Sequence, residues 1–165
     1  MNKILDKYYK HPILYDYLIS IVLIAIIYSL EKKDIIKIPC GNFSNDFASD
    51  IGAIGLTISG FILTLITILI SFKSSQLLSE EKLKNDSSPF KIFLASKLYK
   101  SSINILQRGV ISLIVISFLI FISKLFFINR TTDYIFYLNV VGLVIILSTF
   151  LRCYYVLGLI LKMQK

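Results

Sequence analysis

Ile51-Gly-Ala-Ile-Gly-Leu-Thr-Ile-Ser-Gly-Phe-Ile-Leu-Thr-Leu-Ile-Thr-Ile-Leu-Ile-Ser-Phe72 contains no charged residue and ends directly at Lys73. At a rise of about 1.5 Å per residue, a helix of this length crosses the roughly 30 Å of bilayer hydrocarbon. Three further stretches, 13–30, 109–128 and 134–152, are almost as apolar. The whole chain of 165 residues is 56% hydrophobic, with a mean hydropathy of +0.76 and no Trp. A soluble domain of this size lacks the polar residues to cover so much apolar surface. The expected fold is therefore an all-α membrane protein with four transmembrane helices.

The segments between the spans predict the rest of the layout. Residues 1–12 form a short N-terminus, and Pro12 suits the first position of the helix that follows. Tyr28-Ser-Leu-Glu31 offers no small-residue cleavage site, so span 13–30 reads as a retained signal anchor. Residues 31–50 read as a polar loop turning at Pro39-Cys40-Gly41-Asn42, with Asn45, Asp46, Ser49 and Asp50 as candidate caps for span 51–72. Residues 73–108 keep helix-forming composition around a break at Asn85 to Pro89, which predicts a hairpin whose second arm runs from Pro89 into span 109–128. A tight turn at 129–133 joins the last two spans, and 153–165 forms a C-terminal extension. Leu77, Leu83, Phe90, Phe93, Leu94 and Leu98, with the apolar tail Cys153 to Leu161, predict that helices 2, 3 and 4 extend into a small cytoplasmic helical cap. A tail lying along the lipid surface is the alternative.

Charge sets the expected orientation. Of the 18 Lys and Arg residues, only Lys32, Lys33, Lys37, Lys124 and Arg130 fall on one side of the predicted membrane. The others fall on the side shared by both termini and the 73–108 segment, which positive-inside bias assigns to the cytoplasm. The Ile- and Lys-heavy, Trp-free composition is that of an AT-rich bacterial genome, so the expected location is a bacterial inner membrane. Cys40 and Cys153 are expected at opposite faces, too far apart to bridge.

Three groups of residues are candidates for function. Ala53, Thr57, Gly60, Thr64, Thr67 and Ser71 are spaced alternately four and three apart, one stripe down the second span, reaching back to Ser49 and Asp46 and forward to Ser74. Such a stripe lets another helix approach closely, or lines a wet path when several copies surround an axis. Four of the six positions are Thr or Ser, where pure packing is served by Gly and Ala, so the stripe is read as pore-lining. Asp46 and Asp50 would then mark the outer mouth. A unit of four helices is filled by its own side chains, so a pore requires a homo-oligomer.

The second candidate is Arg152, which with Asn139, Gly142, Ser148 and Thr149 gives the fourth span a polar side. It either snorkels to the interface or marks a functional site, while Asp16 reaches the interface or pairs with Lys10. The third is a basic face. Lys97, Lys100, Asn104 and Arg108 recur at helical spacing, near Lys82, Lys84 and Lys91. It serves anionic lipid headgroups or a polyanion such as a nucleotide or single-stranded nucleic acid, with Tyr99 available for stacking and Arg152 as a further contact. Catalysis finds no support: His11 is the only histidine, the carboxylates are scattered, and no metal-ligand spacing, activated nucleophile or phosphate loop is present. Neither an enzyme nor a cofactor is expected.

The run Gly60-Phe-Ile-Leu-Thr-Leu-Ile-Thr-Ile-Leu-Ile-Ser-Phe-Lys73, within a four-span chain of this length, resembles small bacterial inner-membrane proteins found beside anti-phage genes. In particular it resembles the channel effectors of Hailong-type defence. The resemblance implies a tetrameric ion channel held shut by short DNA oligomers that a partner nucleotidyltransferase makes, and opened during infection. It carries over no individual residue. A holin-like toxin and a non-conducting membrane partner subunit packed through the stripe are the alternatives. The toxin would need no cap and no regulator.

Overall fold

The computed structural model describes residues 8, 12–38, 42–79, 89–126 and 132–163; at 42, 76–79, 89–91, 132, 133 and 163 it describes the helix without the side chain. Every regular element among them is an α-helix: α1 (Pro12–Glu31), α2 (Asn42–Ser79), α3 (Pro89–Ala95), α4 (Lys97–Phe126) and α5 (Thr132–Met163). Four of these, all but α3, are long and apolar enough to cross a membrane. The chain is a multi-pass membrane protein by that measure.

The long helices run antiparallel in succession. Contacts between Asp16 and Arg152, Tyr17 and Ser112, and Tyr99 and Leu69 mark one end of the bundle. Glu31 to Tyr137, Ser44 to Asn139 and Ser49 to Lys124 mark the other. The second helix packs most extensively against α4 and also against α5, whereas α1 leans on α5 and touches α4 only lightly. The main core lies among α2, α4 and α5, where Ile62, Leu106, Leu113, Ile120 and Ile145 are almost fully enclosed.

Two helix starts differ from the sequence reading. α2 begins at Asn42, not near Ile51, so Asn45, Asp46, Ser49 and Asp50 lie inside the helix and do not cap it. At 38 residues it is about 57 Å long, far more than hydrocarbon alone requires. The helix that starts at Pro89 is not continuous with the third span either. It bends at Ser96, whose Oγ donates to Phe93 O at 2.7 Å and accepts from Leu98 N at 3.2 Å, capping α4.

The short α3 packs on α4 and α5 through buried Phe93 and Leu94, near Val156 and Ile160 of α5. Leu98, expected to join them, is exposed. Leu83 and the expected break at residues 85–88 lie outside the described residues, as do the side chains of Leu77 and Phe90. Cys153 is half-buried on α5, and Cys40 lies outside the described residues.

The first helix is apolar all round, so hydrophobicity alone cannot choose which face turns inward. Its only buried residues are Pro12, Asp16 and Ser20, one turn apart on a single face. Arg152 Nη2 donates to Asp16 Oδ2 at 2.6 Å, and the two side chains are 4% and 2% exposed. Asp16 Oδ1 accepts from Tyr8 OH at 2.8 Å, and Arg152 also reaches Thr149 Oγ1 at 3.0 Å and Ser148 O at 3.3 Å. Removing one member of a buried pair strands the other charge at a cost of about 3–5 kcal/mol. Arg152→Met alone should therefore lower the melting temperature in detergent sharply. Combining it with Asp16→Leu should restore most of the loss, and a double variant no better than the single one would contradict this account.

Candidate functional site

Two faces of α2 do different work. On the inner face, Ile51, Gly55, Ser59, Ile62, Ile66 and Leu69 are buried. A methyl group at Gly55 would collide with Ser117 Oγ, and one at Gly142 would lie 2.8 Å from Ile120 Cδ1 and 3.0 Å from Ile51 Cγ2. Small residues at these crossings let the backbones approach, as in other lipid-embedded helix pairs.

On the outer face, Ala53, Thr57, Gly60, Thr64, Thr67 and Ser71 are exposed at every position. At about 100° per residue they form a narrow strip on the side opposite the buried one. Nothing lies within 4 Å of where a Cβ at Gly60 would stand. No described residue of the chain packs on the strip.

Because α2 starts early, the same spacing carries the strip through Asp50 and Asp46, both exposed. Ser49, expected on the stripe, instead turns toward α4 and accepts a hydrogen bond from Lys124 Nζ. In the other direction Ser74 is also exposed. The strip thus spans residues 46–74, about 42 Å of helix, with two carboxylates at one end.

The flanks of the strip are as regular as the strip itself. Ile54, Phe61 and Ile68 run along one side and Leu56, Leu63 and Ile70 along the other, each seven residues from the next and 43–72% exposed. Thr57, Thr64 and Thr67 donate their hydroxyl protons to the carbonyls of Ala53, Gly60 and Leu63 at 2.8, 3.0 and 3.0 Å. Each Oγ1 is therefore satisfied as a donor within its own helix and keeps acceptor lone pairs outward.

The basic face divides. Lys97, Lys100, Asn104 and Arg108 are exposed on α4. Tyr99 is not available for stacking: its ring is buried against Phe93, its hydroxyl donates to Leu69 O at 3.2 Å, and Lys73 Nζ sits 4.7 Å from its centroid. Arg152 is likewise removed from any ligand face, and from the expected snorkelling position, by its pair with Asp16. Asp16, expected to reach the interface or to pair with Lys10, is held by Arg152, and Lys10 lies outside the described residues. Lys82 and Lys84, and the side chain of Lys91, lie outside the described residues.

Polar contacts at the opposite end were not foreseen. Asn139 Nδ2 donates to Ser44 O at 3.0 Å, and Tyr137 OH donates to Glu31 Oε2 at 2.7 Å. The polar side of the fourth span is thus spent inside the bundle. No protein-family model matches this chain, and comparison with curated proteins and with solved structures finds no significant match.

The two faces of α2 predict opposite outcomes for one kind of substitution. Gly55→Leu forces a side chain into Ser117 and should destabilise the isolated subunit by about 1–3 kcal/mol, the usual cost of overpacking. Gly60→Leu meets open space and should leave subunit stability unchanged in a detergent melt at low protein concentration.

Proposed function

We propose that this chain is the subunit of an oligomeric ion channel in the bacterial inner membrane, with α2 of each copy facing a shared axis. What supports the reading is the hydroxyl strip framed by two apolar seams. In heptad terms the strip occupies positions a and d, while Ile54, Phe61 and Ile68 occupy e and Leu56, Leu63 and Ile70 occupy g. A symmetric ring turns a and d toward the axis and sets e and g against neighbouring copies. The large apolar residues then meet each other, and the small hydroxylated ones line a lumen. Thr57, Thr64 and Thr67 would present oxygen lone pairs to that lumen, with Asp46 and Asp50 ringing its outer mouth, an arrangement that favours cations.

Positive-inside bias places both termini in the cytoplasm. In that orientation α3 and the prolonged ends of α2, α4 and α5 form the small cytoplasmic cap. Lys97, Lys100 and Arg108 stand on its surface, on a helix that continues unbroken to Phe126. A polyanion held there, a nucleotide or a short single-stranded DNA, acts on the pore through a rigid lever. It shifts gating only by preferring one state, and a ten-fold preference is worth about 1.4 kcal/mol. The resemblance to Hailong-type effectors argues for a tetramer, a role in anti-phage defence and a partner nucleotidyltransferase as the source of the ligand. A non-conducting subunit that uses the same seams only for packing is the second reading, favoured by hydroxyls already satisfied within the helix.

Two measurements test this. Purified protein in planar bilayers should conduct, and Asp50→Lys should lower the cation-to-anion permeability ratio; absence of conductance from a stable oligomer would favour the second reading. Single-stranded oligonucleotide binding should weaken in the Lys97→Gln/Lys100→Gln variant. Each lost phosphate contact should flatten the log K against log salt slope by about 0.7. A double variant that loses only liposome association, with wild type ignoring oligonucleotides at low salt, would make the basic face a lipid anchor.

A further inference from the structure

At the end of the bundle opposite Arg152, the C-terminus of α1 and the first turns of α5 enclose a cleft of about 450 Å³ lined by Tyr28, Glu31, Lys32, Tyr134 and Tyr137. Tyr28 and Tyr134 are 57% and 72% exposed, far more than packing within the bundle would leave them. Glu31 Oε2 is fixed by Tyr137 OH at 2.7 Å, which orients the carboxylate without neutralising it. The chain leaves α1 through a tight turn, in which Lys32 N bonds Tyr28 O at 3.0 Å and Asp34 takes a φ of 54°. That turn holds Lys32 beside the carboxylate without a salt bridge between them among the described residues.

Three tyrosines and a carboxylate form an environment for an ammonium group, and the adjacent lysine supplies a partner for an anion one or two bonds away. Below Tyr28, Ile21 and Leu14 continue the same exposed face of α1 at intervals of seven residues, 61% and 58% exposed. We propose that this cleft is a binding site for the headgroup of an ethanolamine phospholipid. The primary ammonium lies against Glu31 and the tyrosines, the phosphate against Lys32, and the acyl chains along Ile21 and Leu14. Glu31 accepts hydrogen bonds from N–H donors, which ethanolamine has and choline lacks. An anionic glycerol headgroup offers the carboxylate only neutral hydroxyls, with no cation to pair with it. The site is independent of whether α2 lines a pore, since none of its residues belongs to α2.

The test is lipid retention by the full-length protein. The protein is reconstituted in vesicles of equal phosphatidylethanolamine, phosphatidylcholine and phosphatidylglycerol, extracted in mild detergent and quantified for bound lipid by native mass spectrometry. Phosphatidylethanolamine should be retained about ten-fold over each of the other two lipids, equivalent to about 1.4 kcal/mol. Glu31→Gln and Tyr134→Ala should each return retention to the bulk share, and Lys33→Gln, outside the cleft, should not. Tyr134 is too exposed for its loss to unfold the chain, so that variant stands even where Glu31→Gln fails to fold. Three outcomes would overturn the proposal: retention at bulk composition, enrichment of phosphatidylglycerol, or enrichment that survives the Tyr134 substitution. Displacement by equimolar soluble glycerophosphoethanolamine would make the site one for a free solute instead of a lipid.

Discussion

In hydrocarbon a polar group finds a partner inside the protein or is not tolerated, and here that constraint is met most sharply by Asp16 and Arg152. The contact joins residues far apart in the chain and fixes α1, whose other faces are mostly Ile, Leu and Val between a few tyrosines. Because lipid is as apolar as those side chains, hydrophobicity gives α1 no reason to turn one face inward. The polar seam of Asp16 and Ser20 provides that reason. At the far end Asn139 with Ser44 and Lys124 with Ser49 do the same for α2, α4 and α5. The bundle is thus oriented by its few polar residues, while its apolar residues fill it.

This division explains why two sets of small residues on one helix have different meanings. Gly55 faces Ser117 and belongs to the interior, where it sets the distance between α2 and α4. Gly60 faces outward on a strip whose threonines bond their own backbone. An exposed, self-satisfied strip is tolerable in lipid, but lipid does not explain the carboxylates that extend it or the matched apolar seams beside it. The proposed ring of α2 helices would account for all three and would leave α1, which packs mainly on α5, to face lipid.

Much of this was legible in the sequence. The four spans follow from hydropathy, because lipid selects for length and apolarity and little else. The strip follows from four–three spacing, which is a property of the helix and needs no tertiary contact. The start of α2 was misplaced because Asn45, Asp46, Ser49 and Asp50 are all good caps, and a capping preference is weaker than the packing that prolongs the helix. The spacing of Asp46 and Asp50 with Ala53 was the available signal. The role of Arg152 was not legible, since its partner is distant in sequence and no local pattern links them. Tyr99 beside two lysines reads as a stacking platform, and only the packing of Phe93, Leu69 and Lys73 around it reveals a core residue.

Whether α2 presents its hydroxyl strip to water around a shared axis is read from cysteine accessibility along residues 51–72 of the reconstituted protein. If α2 lines a pore, a membrane-impermeant thiol reagent should modify cysteines at 53, 57, 60, 64, 67 and 71 and block conductance there. Cysteines at 54, 61 and 68, equally exposed in a single subunit, should be protected by neighbouring copies. Uniform protection of the strip, or equal reactivity at both sets, would contradict the account.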